Sequence, residues 1–430
     1  MAFLGAILVG TLLLMMPMAR EGAEGAPVLV ALFTATSAVS ITGLAVVDTS
    51  TYWSGLGQAI ILLLVQVGGF GIMTGATLLG LLISRPLRLR QRLIAQAETK
   101  SLTLADVRSV VRVVLAVTLM AELLLASLLA LRLRVSYGEA WSEAAWNGLF
   151  HSVSAFNNAG FSTYADGLIR FALDPVVLVP IMLAVVVSGL GFPVIHELRE
   201  EWRTPSRWSI HAKVTLVGTG TLLMLGFVSV LVAEGGNART LGEMPASGKV
   251  LNAMFHSVMT RSGGLHSFDT GALRSETLLI SDMLMFVGGG SAGTAGGIKV
   301  TTFFLLGFVV WAEIRGHSDA TAFRRRISPA VQRQALAIVL LAITVVSVAT
   351  LSLLSLTTFP LDRILFEVIS AAATVGLSTG ITPDLPPSAQ AILVMLMYVG
   401  RVGTVTVAAA LALRAQHRLF RYPEERPIVG

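Results

Sequence analysis

Four glycines recur along the chain where backbone carbonyls, rather than side chains, could do the chemistry. Gly43, Gly160, Gly264 and Gly376 each carry a Leu or Phe on the C-terminal side and follow Phe33, Phe150, Phe255 and Phe366 by 10, 10, 9 and 10 residues. The segments read Ile41-Thr42-Gly43-Leu44, Asn158-Ala159-Gly160-Phe161, Ser262-Gly263-Gly264-Leu265 and Thr374-Val375-Gly376-Leu377, with no charge at the glycine or the residue before it. Carbonyl oxygens can replace an ion's hydration shell without adding full charges. Glycine permits positive φ, so an extended stretch can aim successive carbonyls at one line. A helix ending just before such a turn offers its partial negative end, which favours a cation over an anion. One such glycine alone reads as a helix C-cap, but four, about 110 residues apart, imply four equivalent parts around one axis.

A second glycine cluster points to a broken helix. Gly288, Gly289, Gly290, Ser291, Ala292, Gly293, Thr294, Ala295, Gly296 and Gly297 lie inside an apolar run. Six glycines in ten cost a helix roughly 5 kcal/mol against alanine, at ~0.8 to 1.0 each, so the span should break there. Gly288, Gly290 and Gly293 match Gly-x-Gly-x-x-Gly, yet no strand precedes them and Lys299 lacks the adjacent glycine of a phosphate-binding loop, which excludes nucleotide binding here. An irregular, mobile loop at membrane depth must line a cavity. Lys299 and Arg401 are cations at that depth and hence functional candidates, although Lys299 could instead snorkel to the interface. Arg261 is expected to brace the short helices. His151 and His256 follow Phe at equivalent points, where the other copies have Thr34 and Glu367. No ligand-spaced partner accompanies them, so a hydrogen-bonding role is expected and no metal site. No nucleophile-base constellation is present, which argues against an enzyme and leaves no catalytic residue to name.

The elements that must position these groups are membrane helices. With 54% hydrophobic and 13% charged residues and a mean hydropathy of +0.77, the chain is no ordinary soluble domain. Runs able to cross ~30 Å of hydrocarbon occur near residues 3–19, 56–83, 110–131, 175–195, 214–233, 278–310, 335–357 and 389–413, eight in all. The first lacks the positive flank and cleavage site of a signal sequence and reads as a retained span. The chain has no cysteine, so it has no disulfide framework or thiolate metal site.

Between the paired runs lie segments too short to cross, near Pro27 to Ile41, Ala140 to Asn158, Ser247 to Ser262 and Leu361 to Thr374. Each would enter and leave on one face as a re-entrant helix. Basic residues gather after each second run, at Arg85, Arg88, Arg90, Arg92 and Lys100; Arg199, Arg203, Arg207 and Lys213; Arg315, Arg324, Arg325 and Arg326; and Arg414, Arg418, Arg421 and Arg426. The positive-inside rule puts these clusters and both termini in the cytoplasm, which accounts for the net charge of +6 without nucleic acid. The expected units are 1–88, 107–203, 210–317 with its second helix broken at 288–297, 331–417, and a cytoplasmic tail at 418–430. Asp48, Asp166, Asp269 and Asp384 follow the glycines and read either as an outer ring that concentrates cations or as ordinary loop caps. Gly71 and Gly75 could seat a neighbouring helix within the subunit or across a dimer.

The residues carry a resemblance to the potassium-translocating subunits of the Trk/Ktr/HKT superfamily over essentially the whole chain. The stretch Phe150-His151-Ser152-Val153-Ser154-Ala155-Phe156-Asn157-Asn158-Ala159-Gly160-Phe161 is similar to the family's second filter, and Thr374-Val375-Gly376-Leu377-Ser378 to its fourth. The resemblance implies an all-α integral membrane protein of four pseudo-symmetric helix–pore helix–helix repeats, with eight transmembrane helices and four re-entrant pore helices around one central pore. It implies a selectivity filter at Ile41, Thr42, Gly43, Asn158, Ala159, Gly160, Ser262, Gly263, Gly264, Thr374, Val375 and Gly376, with glycine in all four repeats favouring K+ over Na+. Leu377 stands where the potassium-channel Thr-Val-Gly-Tyr-Gly has tyrosine, so the multi-site filter of those channels is not implied.

Resemblance also assigns residues 288–297 as an intramembrane gate below the filter, with Arg401 beside it and Lys299 at its end. The eight runs and the tail around Arg421-Tyr422-Pro423-Glu424-Glu425-Arg426 look closest to the bacterial Ktr type. That type implies a homodimer in the bacterial cell membrane on a cytosolic RCK-type ring of nucleotide-binding regulatory subunits. This chain has no dinucleotide-binding domain, so nucleotide control is expected from the separate ring. K+ is the expected transported ion, Na+ dependence is supported by no named residue, and no organic cofactor is expected. The rival class is a membrane receptor or scaffold that kept the fold and lost conduction.

Overall fold

A computed structural model describes residues 2–84 and 104–413, with side chains over 2–75 and 111–403. The basic groups at Arg85, Arg88, Arg90, Arg92 and Lys100, those at Arg414, Arg418, Arg421 and Arg426, and the tail at 418–430 lie outside the described residues. Helices dominate. They are α1 (Ala2–Leu14), α2 (Val28–Val39), the single turn α3 (Thr49–Tyr52), α4 (Gly55–Ser84), α5 (Leu104–Tyr137), α6 (Trp141–Phe156), α7 (Pro175–Leu190) and α8 (Phe192–Glu201). There follow α9 (Ile210–Glu234), α10 (Ala246–Met259), α11 (Ser275–Phe286), α12 (Val300–Ile314), α13 (Pro329–Leu356), α14 (Leu361–Ala372) and α15 (Pro387–Leu413). One two-stranded hairpin, β1 (Thr321–Ala322) with β2 (Arg325–Arg326), interrupts the helical pattern. It closes because Phe323 and Arg324 both adopt positive φ, the geometry of a tight two-residue turn.

The four short helices α2, α6, α10 and α14 fall on the segments expected to be too short to cross. Their aromatic anchors Phe33, Phe150, Phe255 and Phe366 are fully buried. Each short helix packs on the helix that closes the preceding unit: α6 on α4, α10 on α7, α14 on α11, and α2 on α15. The last contact joins the end of the described chain to its beginning, so the packing is cyclic. Phe33, for example, shares a core with Ile364 and Val368 of α14 and Leu393 of α15.

The long helices are less regular than eight apolar runs suggest. Among the described residues, four are long and apolar enough to cross a bilayer by length and composition: Gly55–Gly75, Val111–Tyr137, Ile210–Glu234 and Pro329–Leu356. The run at 175–195 is two helices, α7 and α8, bent by 95°. The break sits at Gly191, whose φ of 92° no helix tolerates, followed by Pro193 at the start of α8. The run at 278–310 divides into α11 and α12 around the glycine-rich segment. The first run is helical for only 13 residues and gives way at Pro17.

Candidate functional site

Each short helix is stopped by a residue in the left-handed region, and that residue is not the key glycine. Ile41, Asn158, Ser262 and Thr374 have φ of 55°, 60°, 74° and 49°. In α2 the Thr42 N–H reaches back to Ser37 O at 2.8 Å and the Ile41 N–H to Ala38 O at 3.1 Å, the paired bonds of a Schellman ending. Ala159 to Ser154 and Asn158 to Ala155 repeat it in α6, and Val375 to Ser370 and Thr374 to Ala371 in α14. The third copy, one residue shorter, departs: both Gly263 and Gly264 donate to Met259 O. The C-cap alternative for the glycines thus loses its basis, because the cap position is already occupied. Four non-glycine residues at positive φ in one register store backbone strain of the kind that clusters at functional sites.

Two positions beyond each cap the key glycine again turns to positive φ, at 92°, 73°, 70° and 96° for Gly43, Gly160, Gly264 and Gly376. The four meet. A β-carbon on Gly43 would overlap Ala159 O, one on Gly160 would lie 2.9 Å from Gly264 Cα, one on Gly264 would lie 2.6 Å from Val375 O, and one on Gly376 would overlap Thr42 O. Each glycine is therefore closed off by the next around a ring, and any side chain there must displace backbone. The Gly43 N–H donates to Ser37 Oγ and the Gly376 N–H to Ser370 Oγ, both at 3.1 Å. In a trans peptide the carbonyl opposes the N–H. Tying these amides back to the helices turns Thr42 O and Val375 O away from them, toward the junction of the four segments. In α6, Ser154 at the same offset instead donates to Phe161 O at 2.7 Å.

These serines were not singled out from the sequence, although aligning the repeats shows them six residues before the glycine in copies one, two and four. The position after the anchoring Phe holds the loop beyond the glycine in the second and fourth copies. Glu367 accepts from Ser378 Oγ, the Thr379 N–H and Thr382 Oγ1 at 2.6–2.8 Å, and His151 Nε2 pairs with Ser162 Oγ at 2.9 Å. His256 Nε2 instead meets Ser281 Oγ of α11 at 3.0 Å. A hydrogen-bonding role fits all three.

The glycine-rich segment lies against this junction as a packed, hydrogen-bonded loop rather than a free one. Val287 and Ile298 pair across its base, with Gly288 N–H to Ile298 O at 2.9 Å and Ile298 N–H to Phe286 O at 3.1 Å. Its far side rests on the bend between α7 and α8, where the Gly290 N–H donates to Gly189 O at 2.8 Å and a β-carbon on Gly191 would overlap Ser291 O. The apolar run at 175–195 alone predicts one continuous span across that bend. The signal was Gly189-Leu190-Gly191-Phe192-Pro193, two glycines and a proline in five residues.

Lys299 does not snorkel; its Nζ donates to Ala295 O at 2.6 Å and closes the loop on itself. Arg401 is buried in α15, and its Nε and Nη2 find no partner among the described residues. Arg261, expected to brace the short helices, instead donates to Gly288 O at the start of the loop.

Three of the four acids behind the glycines act as turn or loop groups. Asp48 and Asp269 accept from the Ser50 and Gly271 N–H groups, at 2.7 and 2.8 Å, and Asp166 pairs with Arg170 at 2.9 Å. Asp384 is exposed in a short 3-10 turn. The loop-cap reading has direct geometry behind it. Gly71 faces Phe3 of the same subunit, whereas Gly75 has open space around it.

Comparison with known proteins identifies the family. Residues 7–422 match the TrkH family model, described as cation transport protein. The chain is 35% identical over 99% of its length to Ktr system potassium uptake protein B of Bacillus subtilis (strain 168), covering 94% of that protein. It is 34% identical over 100% of its length to the protein of the same name from Vibrio alginolyticus, again covering 94% of it. To potassium/sodium uptake protein NtpJ of Enterococcus hirae it is 32% identical over 99% of this chain and 94% of that one. The crystal structure of the potassium transporter TrkH from Vibrio parahaemolyticus shares the fold, with a TM-score of 0.72 at 16% identity over 95% of this chain and 84% of that one. The chain belongs to the TrkH family of cation transport proteins.

Proposed function

We propose that the chain carries potassium into the bacterial cell through a single central pore. In this reading the four short helices are re-entrant pore helices and eight spans surround them, with α11 and α12 counted as one broken span and α7 and α8 as one bent one. The ring of Gly43, Gly160, Gly264 and Gly376 is the selectivity filter. The observation that carries the reading is the meeting of these four segments at one point, with backbone oxygens of Thr42, Ala159 and Val375 at the junction and no charged side chain among them. Carbonyls so placed replace water around a cation that has lost its hydration shell.

Residues 288–297 form the gate, seated against the filter segments, with Lys299 and Arg401 as the nearby positive charges that disfavour a cation while the loop is closed. The potassium uptake named for the Bacillus and Vibrio relatives supports K+ as the cargo, and the potassium/sodium name of the Enterococcus relative supports Na+ as a second ion. The word "system" in the Ktr names supports a separate regulatory partner. We assign that role to a cytosolic RCK-type nucleotide-binding ring beneath a homodimer, with both termini cytoplasmic. The test is K+ uptake by the purified chain in liposomes with the regulatory ring and ATP supplied. Uptake that rises when residues 291–296 are removed is expected; absence of uptake overturns transport in favour of a receptor or scaffold.

A further inference from the structure

We infer that Ser262 couples the glycine-rich loop to the filter, so that displacing the loop changes how the filter treats ions as well as whether they pass. The inference rests on the filter and gate reading above. Ser262 is fully buried at φ 74°, and its single hydroxyl is engaged on both sides. It donates to Thr374 O of the fourth filter segment at 2.7 Å and accepts from the Gly296 N–H of the loop at 3.0 Å. No water or intervening side chain is needed to pass from loop to filter. One oxygen joins a loop amide to a filter carbonyl.

The fit around this bond is close. A β-carbon on Gly296 would overlap both Thr374 Oγ1 and Ala373 O, so the loop backbone lies directly on the fourth segment. The neighbouring Arg261 holds the start of the loop at Gly288 O, which places both contacts on consecutive residues of the third repeat. A looser connection runs through the second repeat: the Thr294 N–H donates to Ser188 O at 3.3 Å, and Ser188 Oγ donates to Asn158 Oδ1 at 2.6 Å. The direct link is peculiar to one repeat. At the same left-handed position the others carry Ile41, Asn158 and Thr374, and none of these has a hydroxyl bonded to both loop and filter.

The chemistry gives the coupling a direction. With the loop seated, the Ser262 proton is directed at Thr374 O and takes part of that oxygen's capacity to face an ion. When the loop leaves, the hydroxyl loses the donor that fixes its rotamer, and its proton is free to turn elsewhere. Thr374 O then regains its full acceptor strength. A carbonyl's field strength contributes to ion preference, so the ratio of K+ to Na+ passage should shift with loop position.

The test is a double-mutant cycle on the full chain in liposomes, reading basal K+ flux and the K+/Na+ permeability ratio for the wild type, Ser262→Ala, the chain lacking residues 291–296, and both changes together. With the loop intact, Ser262→Ala is expected to raise basal flux and move the permeability ratio, each by about five- to tenfold, the factor by which one buried hydrogen bond biases a two-state equilibrium. With the loop removed, the effect of the same substitution should shrink below about twofold, because the coupled partner is gone. Equal effects in both backgrounds, or none with the loop intact, overturn the coupling while leaving the gate standing. Unchanged flux on loop removal overturns the gate and the coupling with it. Ser262→Cys, similar in size but a weak hydrogen-bonding group, repeats the cycle if the alanine variant does not assemble.

Discussion

Glu367 illustrates how a segment of the glycine ring is held by a residue that the glycine pattern does not reveal. Its fully buried carboxylate gathers the hydroxyls of Ser378, Thr379 and Thr382 and the Thr379 N–H, fixing the turn just after Gly376. Glu367→Ala leaves those donors without an acceptor, and a loss of about 3 kcal/mol is expected from breaking so buried a network. Thermal unfolding in detergent measures it; a change under about 1 kcal/mol contradicts the bracing role. Asp174, at the start of α7, is a second buried carboxylate fixed by hydrogen bonds, joining α7 to α5, and it titrates. Burial alone would raise its carboxyl, but hydrogen bonds from Arg132, Tyr137 and the Val176 N–H, with the Arg132 charge, hold it below the ordinary carboxylate value. A depressed native pKa contributes stability that is complete above the unfolded value of ~3.9 and is lost as pH falls through the native one. The difference in melting temperature between wild type and Asp174→Asn should therefore be larger at pH 6 than at pH 3. A difference that grows in acid contradicts the assignment.

At the scale of elements, the bend at Gly191 and the glycine-rich loop form one mechanical unit. Gly191 combines a φ of 92° with backbone of the loop packed where a side chain would go. Gly191→Ala must then strain the bend and push the loop, and a basal K+ leak raised by about tenfold is expected from biasing the loop by roughly one decade. Flux at the wild-type level would show that the bend does not bear on the loop. The loop's break was legible because six glycines cannot stay helical, and the short helices were legible from their length and Ala, Ser, Thr and Val content. The bend was not, because Leu183 to Val187 before it and Phe192, Val194 and Ile195 after it are apolar and close enough to read as one span. The caps were also hidden: Ile41 and Thr374 are β-branched residues that sequence rules keep out of the left-handed region, and only the packed ring around them holds them there. The expectation for Arg261 failed for a related reason, since its partner is a loop carbonyl that no spacing rule reaches.

Across the whole molecule, the cyclic packing of α2, α6, α10 and α14 on the helices of the preceding units brings four glycines spread over the chain from Gly43 to Gly376 to one point. Recurrence at near-equal spacing was enough to anticipate that meeting. The shorter spacing of the third copy also marks the ring as unequal; what the spacing could not show is that this segment ends its helix differently and, among the described residues, alone sends a hydroxyl to the loop. If the ring is the selectivity filter, every member should matter, because each glycine is closed off by the next and any added side chain displaces a neighbour's backbone. The decisive measurement is the K+/Na+ permeability ratio in liposomes for Gly43→Ser, Gly160→Ser, Gly264→Ser and Gly376→Ser. All four should lower the ratio, by about tenfold or more as the carbonyl positions are disturbed. An unaltered ratio in a folded, conducting variant at any of the four positions would contradict a single filter built from all of them.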